Sequence, residues 1–151
     1  MLRALKADFV PDNHYLWNYG TIGQPLFELR PPNGYPDDRQ SWSGTMPILQ
    51  RWRHCNWLFY WSIDGGEGAA DIPRLRPETQ RSSATKTPVE IVDFWSFRIL
   101  GRRLPDSERK TVIEFMAAGR NPDFDLPTDQ ILERLRWMVA LIVMSPSFQW
   151  R

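Results

Sequence analysis

Cysteine and histidine are almost missing from this chain: Cys55, His14 and His54 are the only ones in 151 residues. A single thiol excludes an internal disulfide and every zinc site built from several cysteines. Two imidazoles fall short of the three protein ligands a catalytic zinc takes, so a carboxylate such as Asp12 or Asp64 would have to be brought in by folding. An excess of one charge is lacking too. With 19 Lys and Arg against 18 Asp and Glu, the net charge of +1 creates no field that favours nucleic acid or an acidic membrane. Long hydrophobic runs are absent: the longest, Trp137 to Met144, is far short of the roughly 20 residues of a membrane-spanning helix. The first residues, Met1-Leu2-Arg3-Ala4-Leu5-Lys6-Ala7-Asp8, carry a charge every few positions and no apolar core of a signal peptide. The sequence shows no membrane span and no signal peptide; as it stands the chain would be cytoplasmic, but the compartment stays open on this evidence.

The signatures of common catalysts are missing as well. Ser62, Ser96 and Ser107 sit in no Gly-x-Ser-x-Gly setting, and no Gly-rich phosphate loop occurs. Asp64-Gly65-Gly66-Glu67-Gly68 lacks the alternating acidic ligands and closing glutamate of a calcium loop, and reads as a solvated turn. His54 and Cys55 are a nucleophile and a base in type, but neighbours on a helix point about 100 degrees apart. No cofactor, metal site or complete catalytic set is expected, and the reading leans away from an enzyme.

What the chain has in quantity is tryptophan and proline, 8 and 13 residues. A chain of this length suits one domain that buries roughly two-thirds of its unfolded surface. Asp12 or Asn13 caps a predicted helix over His14 to Gly20, with Tyr15, Leu16 and Tyr19 on its apolar face. Residues 23–43 form a Pro/Gly-rich loop whose Phe27, Tyr35 and Trp42 pack it on the core. Thr45 caps a dense apolar helix running to Ile63 and stopping at Gly65-Gly66. Residues 65–85 read as an exposed linker. Thr87-Pro88-Val89-Glu90 is a capping box that opens a helix ending at Gly101. A further helix starts at Leu104-Pro105-Asp106 and is closed by Gly119. The last is capped by Thr128, buries Ile131, Leu132, Leu135, Met138, Val139 and Ile142, and ends at Ser145-Pro146. No period-two alternation is present. The expected fold is all-α, an irregular domain of about five helices. It spans residues 1–151, with possible subclusters 1–64 and 86–151.

One block of sequence resembles a known family. Ile22-Gly23-Gln24-Pro25-Leu26-Phe27, then Pro31-Pro32-Asn33-Gly34-Tyr35-Pro36 and Trp42, is similar to the C-terminal part of the bacterial domain of unknown function 1800 family. Arg51 and Asn56 match the arginine and asparagine of the family's next helix, and Ser145-Pro146-Ser147-Phe148-Gln149 resembles its Ser-Pro-Glu-Phe-Gln ending. Tyr35 stands for a tryptophan, Ser147 for a glutamate, and His54-Cys55 for small or apolar residues. The resemblance implies a helical structure, relatives that are longer and often exported, and no established reaction. The chain looks like the final part of such a protein.

On these grounds Pro25, Phe27, Gly34, Pro36, Arg51 and Asn56 are expected to be structural, with Arg51 tying Asp37 or Asp38 to its helix. Gln24, Asn33, Tyr35 and Trp42 are the candidate ligand-binding set, since amides beside flat aromatic faces suit a sugar or a peptide. The aromatic run Trp52, Trp57, Phe59, Tyr60 and Trp61 reads as core rather than a stacking platform, because basic residues are not interleaved along it. The leading functional expectation is a noncatalytic packing or interaction module whose partner is the upstream segment of a full-length family protein or another protein. The alternative is a carbohydrate- or peptide-binding module, or a hydrolase subunit, using the loop Gln24 to Trp42.

Overall fold

A computed structural model of the chain describes residues 13–23, 34–36, 38, 40–61 and 86–150. Among these the fold is all-α, with no strand. The helices are α1 (Asn13–Gly20), a 3-10 turn at Gln40–Trp42, α2 (Thr45–Trp61), α3 (Pro88–Leu100), α4 (Asp106–Ala117), α5 (Thr128–Met144) and the short α6 (Pro146–Gln149). The chain divides into two compact units, one of Asp8–Asp71 and one of Met1–Ala7 with Ile72–Arg151. The predicted linker and the predicted stop at Gly65-Gly66 lie outside the described residues.

In the second unit α3 packs on α4 and α5, α4 packs on α5, and α6 folds back on α5. The apolar spacing seen in the sequence makes this possible, because each helix turns one stripe inward. α3 buries Ile91, Val92, Trp95, Ile99 and Leu100; α4 buries Val112, Ile113, Met116 and Ala117; α5 buries Ile131, Leu135, Met138, Val139, Ile142 and Val143. Phe115 lies off the α4 stripe and is exposed, so the apolar character of that position is not a core signal. The backbone N–H of Leu126 donates to Lys86 O at 3.0 Å, joining the segment before α5 to the start of α3.

The ends of the helices show where local chemistry decides. The Thr87 hydroxyl accepts the Glu90 N–H at 3.2 Å, while Glu90 Oε2 accepts the N–H groups of Thr87 and Lys86, each at 3.4 Å. Two otherwise orphaned donors are thereby satisfied besides the Glu90 amide. Thr87→Ala should lower stability by about 1 kcal/mol. That loss would be read as a reduced urea midpoint at unchanged slope; an unchanged midpoint would mean water replaces the cap at no cost. At the other end Gly101 takes φ 74° and its N–H donates to Phe97 O at 2.8 Å, a left-handed stop that glycine adopts without a Cβ clash.

Three predicted caps are shifted. α2 already includes Thr45, and Ile48 N–H donates to Gly44 O at 3.3 Å, so Gly44 holds the capping position. α5 begins at Thr128 behind Pro127, whose carbonyl accepts the Ile131 N–H at 3.1 Å and whose fixed φ of −57° sets up the entry. At the end of α4 the left-handed residue is Ala118 at φ 49°, one before Gly119 at φ 80°. The helix therefore closes one residue earlier than the glycine suggests. Ser145-Pro146 ends α5 as expected, but the chain continues into α6. There the Gln149 side-chain amide returns to donate to Val143 O at 2.8 Å. The Ser-Pro-Ser-Phe-Gln segment is thus a clamp on a carbonyl of the last turn of α5.

Candidate functional site

Of the predicted loop residues, Gln24, Pro25, Phe27 and Asn33 lie outside the described part of the chain, as does Asp37. Gly34 has φ 77° and is exposed, so the turn at this point needs a residue free to adopt left-handed backbone. Tyr35 is half-buried, Pro36 is exposed, and Trp42 closes the 3-10 turn. That turn is organised from within: the Asp38 carboxylate accepts the Ser41 N–H at 2.8 Å and the Ser41 hydroxyl at 2.7 Å. Those two bonds hold the Asp38 carboxyl below its usual value, the side-chain bond first. Arg51 is half-buried on α2 and its Nε donates to Pro47 O at 3.3 Å, one turn back. Asn56 is exposed on the same helix.

The arrangement the sequence did not announce is an aromatic cluster between α1 and α2. Tyr15 and Tyr19, one turn apart on α1, face His54 and Trp57, which are three residues apart on α2. The His54 ring lies 5.8 Å from Tyr15 and 6.4 Å from Tyr19, both edge-on, and 5.6 Å from Trp57. Tyr15 also lies 6.2 Å from Trp57. His54 is 8% exposed, and its Nδ1 is buried without a hydrogen-bond partner. Burial lowers the pKa of this imidazole, because a low-dielectric surrounding penalises the charged form. Leu16, placed by its spacing on the inner face of α1, is instead 43% exposed.

Cys55 is buried beside His54 in sequence, and burial pushes its thiol up to about 11, with the Arg51 charge opposing only part of the rise. An activated thiolate needs the opposite shift. The pair is a neutral imidazole next to a protonated thiol, each held by packing. Among the described residues no group of three or more His, Cys, Asp or Glu side chains is placed to hold a metal ion, and no helix is long and apolar enough to cross a membrane.

α2 is not buried all round, as its composition predicts. His54, Cys55 and Phe59 are buried, but Met46, Leu49 and Trp52 are 61%, 40% and 44% exposed. At about 100 degrees per residue these three fall within one third of the helix circumference, with Arg53 and Asn56 between them. Apolar side chains exposed on one helix face and interleaved with polar residues are the type of surface that an interaction site offers.

In the second unit the main polar feature is an ion-pair cluster. Arg109 donates from Nε to Asp93 Oδ1 at 2.7 Å and from Nη2 to Asp93 Oδ2 at 3.0 Å, while Arg103 Nε stands 3.5 Å from Asp93 Oδ2. The Asp93–Arg109 pair joins α3 to α4, which gives it a structural role.

No curated protein and no solved structure matches the chain significantly. The family model described as Protein of unknown function (DUF1800) matches residues 1–150, which takes in both the Gly23–Trp42 block and the Ser145–Gln149 clamp, and the chain belongs to that family.

Proposed function

We propose that this chain is a noncatalytic packing and interaction module, and that the Met46, Leu49 and Trp52 face of α2 is where another protein, or another segment of a longer family architecture, docks. The observation that supports this most directly is the exposure of three large apolar side chains along one face of an ordered helix. Leaving that area in water is unfavourable by about 25 cal/mol for each Å², a cost that a docked partner removes. The cysteine and histidine of α2 fit the same reading, since burial holds both in their unreactive, neutral forms at neutral pH.

A photoreactive residue placed at Met46 tests it. In the native host the probe should form one discrete cross-linked product, and the double variant Leu49→Glu, Trp52→Glu should abolish it while keeping far-ultraviolet helicity and the melting temperature. A fall in melting of several degrees in that variant would show that the face packs within the chain, and the docking assignment would be wrong. Saturable tryptophan fluorescence changes with an oligosaccharide, lost in Trp42→Ala, would transfer the function to the loop.

A further inference from the structure

The cluster around His54 has a property that packing alone does not require. Its central ring is the one side chain in it that can gain a charge near neutral pH. The rings around it are Tyr15, Tyr19 and Trp57; none of them is a carboxylate, and burial raises the Tyr15 hydroxyl further from ionisation. α1 contains no carboxylate; its single titratable group besides the tyrosines is His14. In the stretch of α2 from Arg51 to Trp57 the charged residues are Arg51 and Arg53, both cations, and the neighbouring Cys55 is a protonated thiol. A proton placed on His54 therefore meets no counter-ion on either helix, and Nδ1 has no acceptor to pass it to.

We propose that His54 is a proton-operated latch: the neutral ring holds α1 on α2, and uptake of a proton releases α1 from the cluster. A charged imidazole at this position is expelled toward water, and the edge-on contacts with both tyrosines go with it. The direction of the effect follows from burial, which sets the folded pKa below the ordinary value. The latch is closed above about pH 6.5, the unfolded value, and its hold is lost as pH falls through the lower folded value.

The test is near-ultraviolet circular dichroism of the full chain from about pH 7.5 down to about pH 5, with far-ultraviolet spectra taken in parallel. The wild type should lose aromatic bands over this range while keeping most of its helix signal. His54→Phe, which keeps an aromatic ring that cannot titrate, should remove the transition, and His14→Gln should leave it in place. A wild type that holds its bands throughout overturns the proposal, and so does the same transition in His54→Phe or its loss in His14→Gln. Should His54→Phe fail to fold at neutral pH, the His54 imidazole C2 proton in wild-type protein decides by nuclear magnetic resonance. A midpoint below about 6.5 that coincides with the loss of bands supports the latch, and a midpoint at or above that value overturns it.

Discussion

Trp95→Ala should lower the stability of the α3–α4–α5 unit by about 4 kcal/mol. Trp95 is 0% exposed at the middle of α3. The Phe94 ring stands edge-on to it at 5.4 Å and the Arg98 guanidinium lies 5.9 Å from its ring centre. Removing the indole forfeits its transfer from water and leaves a cavity that neighbours anchored on three helices close only in part. A domain of this size has about 5–15 kcal/mol in total, so the variant should be marginal at 37 °C. Trp95→Phe, which refills most of the volume, should cost about 1–2 kcal/mol. Urea unfolding followed by far-ultraviolet circular dichroism measures both. A loss under 1 kcal/mol in Trp95→Ala would mean that α3 is not anchored through this side chain.

The next largest effect is expected at Asp93. Its carboxylate takes both branches of the Arg109 fork and a third contact from Arg103, with side-chain exposures of 17%, 27% and 65% respectively. The Arg103 contact is screened by solvent and adds little. The Arg109 bonds are partly sheltered and charge-assisted, and Asp93→Ala should cost about 2 kcal/mol because the guanidinium keeps its charge without its partner. Arg109→Lys separates charge from geometry. A lysine retains the cation and loses the fork, so about half of the loss should appear in that variant. Raising salt to about 1 M should shrink the difference between wild type and Asp93→Ala. Equal stability of wild type and Asp93→Ala in low salt would show that the pair contributes nothing net.

Only the first of these two effects has a local signal in the sequence. Asp93 and Arg109 are sixteen positions apart on different helices, and no spacing rule couples them. Trp95 shares the helical spacing of Ile91 and Ile99, and such recurrence reports burial wherever a helix has one wet face. The capping box at Thr87 was legible for a related reason: all of its atoms lie within four residues, so the bonds form as soon as the local backbone does. The left-handed stop at Gly101 belongs to the same class.

Other positions were misread where local preference met a constraint from outside. Thr45 and Thr128 have the side chain of a cap, yet Gly44 and Pro127 occupy those sites. In the second case the proline carbonyl supplies the first acceptor and its ring fixes the entry angle. Ala118 takes the left-handed position that glycine prefers, one residue before Gly119. On α2 the apolar content predicts burial on every side, but Met46, Leu49 and Trp52 stay partly exposed. Composition counts apolar residues without saying what covers them.

Helical class, the alternation of helices with proline-rich connections, and the family of the chain were all written in local pattern. Periodicity, caps and rare residue strings are properties of neighbours along the chain. The aromatic cluster at His54, the Asp93–Arg109 pair and the exposed face of α2 belong to a different order of information. Each depends on which side chains distant segments bring together or leave apart, and that is settled only when the helices pack and water is excluded from some faces and kept on others.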